Sequence, residues 1–342
     1  MKQYHNLIEN VLTEGNYKPN RTGVDTISSF SHHYSIDLQK GFPLLTTKKM
    51  NGYRWNSMLH EIFWYLSGEE HIRNLREETS IWDAWSNDQG HLETAYGRFW
   101  RRYPVPSNKS DQLPGEAWAD TNCKWVQEES DGTLVFDQLQ YVIDTLAGNN
   151  PDKGPNSRRL VVNAWHPANA AVSKLPPCHY TFVFNVQGNK LNVQLTQRSG
   201  DVALGIPFNI ASYSLLARLI ANEVGLEVGE FGHTIVDAHL YAGTGELGEW
   251  YEENLSEVQK RVNSVEDKTE YSEIKKWIQS TAPPEQNQGE DHIPNLLEQL
   301  SRESYPRPEL TIAETELDLV SPEDIELHNY ESHDGLDFDV AE

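Results

Sequence analysis

Two cysteines stand in this 342-residue chain, Cys123 and Cys178. They are too few for a disulfide framework or a thiolate metal site. Cys178 lies in LPPCHYTF, preceded by two prolines and followed by His179. Pro176 and Pro177 supply no amide donors and stiffen the approach to the strand expected after them. Gly188-Asn189 between two alternating runs is a two-residue hairpin signal. Pairing Gln187 with Lys190 and counting back sets Cys178 opposite Ser199 and His179 opposite Arg198, with one bulge shifting this by a residue. A buried cysteine is commonly a packing residue. A permanent cation beside it favours the thiolate, the nucleophilic form, and turns the reading toward chemistry.

Other residues suit an anionic ligand. The stretch QRSGDVALGIPFNIASY (197–213) offers Arg198 and Ser199 to an anion. Asn209 can cap the helix that begins there. It can also present a donor and an acceptor side by side, which matches N3–H and O4 of uracil and not cytosine. Arg21 in NRTG, and Arg158 and Arg159 in NSRRL, could join Arg198 in a bidentate phosphate clamp. Each alone could equally be a solvated surface cation. Glu61 flanks the apolar face of its helix, where a carboxylate is costly unless used.

These residues need elements to hold them. Apolar periodicity predicts helices over 2–14, 56–68 and 208–225, with Gly68 as a stop for the second and the third buried nearly all round. Strands are expected at 29–38, 158–165, 181–187, 190–198, 234–241 and 309–319. Strands and helices mix without a regular βαβ alternation, which predicts an α+β fold with a large mixed sheet flanked by helices. Hydrophobic residues make up 37% of the chain and ten are tryptophan, enough for one substantial core. Residues 105–133 and 243–305 are polar and rich in turn formers. Both read as surface insertions in a single domain spanning 1–342, and Cys123 falls in the first.

Charge bounds the partners. With 52 acidic and 28 basic residues the formal net charge is −24. That surface repels nucleic acid and anionic membrane, so neither is an expected partner. Acids spread along the whole chain suit high salt, where screening makes dense negative charge tolerable. No run approaches the ~20 apolar residues of a membrane span. The first residues form an amphipathic pattern and not a signal peptide, so the expected location is the cytoplasm.

The motifs PPCHY, QRSGDVALGIPFNIASY and DAHLY, in that order, closely resemble thymidylate synthases. So do RTG near the start, GFPLLTTKK, LHEIFWYLSG, IWDAW, YGRFWR and NSRRLVVNAW. The likeness covers 1 to about 104, 134–242 and 306 onward. It implies methylation of deoxyuridylate (dUMP) at C5 by 5,10-methylenetetrahydrofolate, giving thymidylate (dTMP) and dihydrofolate with no metal. Cys178 matches the nucleophile and Glu61 the glutamate of proton transfer. His179 and Tyr96 match the same hydrogen-bond network. Arg21, Arg198 and Ser199 match phosphate ligands, and Arg158 and Arg159 match arginines lent by the other subunit of a sheet-to-sheet homodimer. Asn209 matches the uracil-reading amide, and His239 and Tyr241 the pair on the sugar 3′-hydroxyl. For the reduced folate, Trp82 and Trp85 match an aromatic wall. Leu204, Gly205 and Phe208 match the wall near the pterin and its aryl ring. Lys48 matches a basic residue at the polyglutamate end. Asp201 matches a pterin-binding carboxylate placed with both the substrate and the catalytic groups. Val340 and Ala341 match the closing tail.

The chain departs from that pattern at its acidic last residue, Glu342, at Gly200, after Tyr241, and in the long stretch 243–305. Two other readings compete. A dUMP hydroxymethylase of the same fold would trap the methylene with water; Trp82 and the retained tail argue against it. A non-catalytic nucleotide-binding homologue would have no need of Cys178, Glu61 and Arg198 together.

Overall fold

The computed structural model describes residues 1–20, 23–92, 95–105, 123–287 and 289–340. The chain opens with helix α1 (Lys2–Glu14), strands β1 (Asn16–Lys18) and β2 (Thr26–Asp37), and helix α2 (Tyr53–Ser67). Next come α3 (Leu75–Glu78), α4 (Tyr96–Arg101), β3 (Tyr103–Val105), β4 (Val126–Glu128), β5 (Leu134–Phe136) and α5 (Gln138–Leu146). The middle holds β6 (Val161–Asn163), α6 (Pro167–Ala170), β7 (His179–Gln187), β8 (Lys190–Gln197), β9 (Gly200–Asp201), α7 (Gly205–Glu223) and β10 (Glu227–Tyr241). Helices α8 (Glu246–Asn263), α9 (Glu270–Thr281) and α10 (Ile293–Ser301) precede β11 (Glu309–Ile312) and β12 (Ile325–His328).

The main sheet runs β1-β2-β10-β8-β7-β6, with β9 beside β10. β10 pairs parallel with β8 and β9, and the other pairs are antiparallel. This is the mixed sheet of an α+β fold. Alternation decides its two faces: Leu191, Val193 and Leu195 of β8 are buried while Asn192, Gln194 and Thr196 point the other way. Against the apolar face lies α7, of which Ile206, Ile210, Leu215, Leu216 and Ile220 are fully buried. Each such side chain stabilises by roughly 1.5–3 kcal/mol relative to exposure.

The predicted helices form, and Gly68 ends α2 in the left-handed region at φ 72°. Gln187 and Lys190 pair across Gly188, whose φ of 62° is what the tight turn requires. The strand expected over 309–319 stops at Ile312. Beyond it the Leu317 amide turns to the Glu223 carboxylate at 2.8 Å, so the chain leaves the ladder.

The stretch 243–305 is helical over most of its length. Leu247, Tyr251, Val258, Val262, Ile274, Ile278, Leu296 and Leu297 join the main hydrophobic core. Its acids lie outward and mask an ordinary amphipathic period in the composition. Of the stretch 105–133, residues 106–122 lie outside the described residues.

Candidate active site

The hairpin carries Cys178 to the end of β7, and the register slips there. His179 pairs with Gln197 and not with Arg198, because Tyr180 bulges between His179 and Thr181. The slip moves Arg198 level with Cys178 in place of Ser199. The Arg198 amide donates to the Cys178 carbonyl at 2.9 Å. Its guanidinium donates to the carbonyls of Pro176 (2.7 Å) and Pro177 (3.0 Å) and reaches Cys178 Sγ at 3.5 Å. The prolines thus do more than stiffen the approach: their carbonyls aim the cation at the sulfur. No disulfide joins Cys123 and Cys178, and both are partly exposed.

Below the thiol lies a cluster of rings. The Cys178 amide donates to the Tyr96 hydroxyl at 2.9 Å. Tyr96 stacks on His179 with centroids 3.8 Å apart and planes 2° from parallel. His179 Nδ1 and the Tyr213 hydroxyl share a bond of 2.7 Å. Burial holds His179 down to about 3, so its ring is neutral near pH 7. Burial also holds the Tyr96 phenol well above its ordinary range. Gly97 makes this possible: a Cβ there would come within 2.2 Å of the Tyr65 carbonyl, so only glycine lets α4 lie on α2 and bring Tyr96 inward.

Glu61, on α2, is buried and accepts from Trp82 Nε1 at 2.8 Å. Burial raises its carboxyl from 4.5 to about 7, the Trp82 bond opposing. A carboxyl in that range can both give and take a proton near neutrality. Tyr65, one turn further along α2, packs on Tyr96 (5.2 Å) and near His179 (5.9 Å).

The third group surrounds the start of α7. Asp201 accepts from the amides of Ala203 (2.8 Å) and Leu204 (3.2 Å) and pairs through β9 with His239. Asn209 does not cap the helix, whose N-cap is Leu204. It lies within the helix beside Gly205, half-buried, and its carboxamide makes no hydrogen bond among the described residues. His239 and Tyr241 meet edge to face at 5.4 Å. Ser199 is half-buried next to Arg198. At Gly200 an added Cβ would meet Ile206 at 2.6 Å, so Ile206 fills the space a larger residue would take.

The residues matched to a folate site divide. Trp85 is partly exposed and lines a cleft with Leu92, Lys174 and Leu175. Leu204 and Phe208 are also partly exposed. Trp82 is largely buried, its indole committed to Glu61. Lys48 is buried, donates to the Ala203 carbonyl at 2.5 Å, and lies 4.7 Å from the Phe338 ring centroid. Burial lowers its ammonium to about 7, with Asp201 opposing. Val340 is exposed. Arg158 and Arg159 are exposed at the lead-in to β6, with no carboxylate at ion-pair distance among the described residues. Arg21, Ala341 and Glu342 lie outside the described residues.

Tyr65, Tyr213 and His292 belong to this neighbourhood and were not singled out from sequence. The signal existed for two of them: Tyr65 and Tyr213 follow Glu61 and Asn209 by four residues, one turn along the same helix face.

The fold and this cluster define a class: an α+β enzyme with a cation-flanked thiol and a buried carboxyl set among stacked rings. The family model for thymidylate synthase matches residues 2–342. A thymidylate synthase of Haloferax volcanii is 59% identical over 338 residues, 98% of this chain and 95% of that protein. The chain belongs to the thymidylate synthase family. It is a methyltransferase that converts dUMP to dTMP with methylenetetrahydrofolate as co-substrate. Among the described residues no group of three or more His, Cys, Asp or Glu could hold a metal ion. No described helix is long and apolar enough to cross a membrane.

Proposed function

We propose that Cys178 is the nucleophile of this reaction and that 1–342 is one catalytic domain. The observation that carries it is the Arg198 guanidinium held 3.5 Å from Sγ by two proline carbonyls. A cation fixed there favours the thiolate, which adds to C6 of the pyrimidine and makes C5 nucleophilic. Glu61 moves the proton at O4 and C5, and Tyr96 and the neutral His179 hold the hydrogen bonds around it. Asn209 reads the imide edge, and His239 with Tyr241 binds the 3′-hydroxyl. Arg21, Arg198 and Ser199 hold the phosphate. The bound reduced folate supplies the one-carbon unit and the hydride. Trp85, Leu204, Gly205 and Phe208 offer it a partly exposed apolar wall, Trp82 closes that wall from behind Glu61, and Asp201 takes its pterin. Lys48, buried beside Phe338, supports this wall from within. Val340 and Ala341 complete the cover.

The partner is a second copy of the chain, packed sheet on sheet. Supporting this, the outward face of the sheet carries Gln194, Thr196, Val183 and the exposed Val161, and Arg158 and Arg159, with no ion-pair partner among the described residues, flank its edge. A soluble cytoplasmic enzyme fits the charge and the absence of a spanning helix among the described residues.

Tritium release from 5-tritiated dUMP tests the chemistry. Release that depends on methylenetetrahydrofolate, with dTMP as product, is expected. Cys178→Ser should lower it by more than about 10³-fold. A 5-hydroxymethyl product, or an active serine variant, would refute this reading.

A further inference from the structure

The segment 329–340 has almost no regular structure, yet it is pinned to the fold at every turn. The Tyr330 hydroxyl donates to Leu45 O at 2.7 Å and accepts from the Met50 amide. The His333 amide donates to Thr46 O, and Arg302 donates to the carbonyls of both Thr47 and Asp334. Asn295 donates to Asp337 O at 2.8 Å, and Phe338 is buried. The outermost of these bonds joins His292 Nε2 to the Asp339 carbonyl at 2.9 Å.

That bond fixes a tautomer. A carbonyl oxygen only accepts, so Nε2 carries a hydrogen. His292 is fully buried, edge to face with Tyr241 and Phe338 at 5.1 Å each. Burial pulls it below the ordinary histidine value, with Asp201 opposing, so the ring is neutral and Nδ1 is an acceptor. Nδ1 has no hydrogen-bond partner among the described residues. It lies 3.8 Å from Asp201 Oδ1, an oxygen that already accepts two amides. Two acceptors thus face each other, the histidine nitrogen fully buried and the carboxylate partly exposed. At 3.8 Å there is no direct bond, but one donor group with two hydrogens can serve both. Buried acceptors of this kind are rarely left unpaired.

We infer that His292 is a positioning residue that couples docking of the C-terminal segment to the ligand at Asp201. Seating Asp339 on Nε2 leaves Nδ1 as a second acceptor beside the carboxylate. The pair then selects a ligand edge bearing an amino group, directly or through one ordered water. The inference rests on the proposed reading that the pterin of the reduced folate, which carries such an edge, lies at Asp201.

Two variants test it. His292→Phe keeps a ring and removes both nitrogens; His292→Asn keeps a donor for the Asp339 carbonyl. In His292→Phe the folate KM should rise about tenfold, the scale of one buried hydrogen bond. The dUMP KM should stay within about twofold, since uniform binding of the nucleotide is untouched. Tritium release should exceed dTMP formed, because an undocked segment admits water to the intermediate. His292→Asn should restore that ratio toward the wild-type value while the folate KM stays high. Unchanged folate KM and ratio in His292→Phe, or equal losses for both substrates, would overturn the inference. A wild-type enzyme without folate-dependent tritium release would instead overturn the reading beneath it.

Discussion

Glu61 keeps its proton to about pH 7 in the folded chain, against 4.5 for an ordinary glutamate, because burial disfavours the charge. Between those values the folded chain binds more protons than the unfolded one. The carboxyl therefore contributes stability that is complete below 4.5 and is lost as pH rises through about 7. The loss is on the order of 3 kcal/mol. Asp291, partly exposed but desolvated beside the Tyr251 hydroxyl and also raised to about 7, adds a slope of the same sign. Glu61→Gln should flatten the fall in Tm between roughly pH 5 and 8 and lower kcat by about 10²- to 10⁴-fold. Melting curves with the native pH slope would show that Glu61 does not titrate there. Glu61 itself was legible in the sequence, as an acid on an apolar helix flank. Its partner was not: the Trp82 indole arrives from 21 residues away, and no local period announces it.

Strands and helices set these residues in place, and one element also faces outward. β6 is an edge strand whose lead-in carries Arg158 and Arg159. Other arginines hold carboxylates: Arg98 holds Glu70 at 2.8 Å and Arg101 holds Asp137 at 3.3 Å. The two at β6 have no ion-pair partner among the described residues, which suits their proposed role toward a second copy of the chain. If they serve the partner's site, a Cys178→Ser subunit and an Arg158→Ala/Arg159→Ala subunit complement each other. Equal mixing after unfolding and refolding should give about a quarter of wild-type activity, one intact site in half of the dimers. No activity above the separate variants would place the arginines in their own subunit's chemistry or outside it. The hairpin shows how much element-level reading can deliver. Gly188-Asn189 set the register of β7 and β8 correctly from Gln187 to Thr181. The bulge at Tyr180 then displaced the last pair, since a bulge depends on what the strand end must meet and not on its own residues.

Across the whole molecule, 24 acids have no compensating base. Long-range repulsion among them opposes the compact state, and salt removes it as the screening length falls from ~10 Å at 0.1 M to ~3 Å at 1 M. Tm should rise by about 4 °C or more over that range, with activity retained at molar salt. A Tm that falls with salt, or inactivation there, would remove the case for a salt-adapted surface. The same excess of acid disguised the stretch 243–305. Its outward faces are so polar that the composition suggested a surface insertion. The helices nevertheless bury Tyr251, Ile278 and Leu296 and provide the seat for the C-terminal segment.

Read alone, the residues carry the family, the mixed α+β fold and the hairpin, and they nominate the thiol, carboxyl and arginines of the proposed site. These depend on residue type, short spacing and periodicity, which are local. Only the tertiary structure decided that proline carbonyls aim Arg198 at Cys178, that Trp82 holds Glu61, and that His292 joins Asp201 to Asp339. These contacts bring together residues 20 or more positions apart, and their partners are chosen by how helices and strands pack.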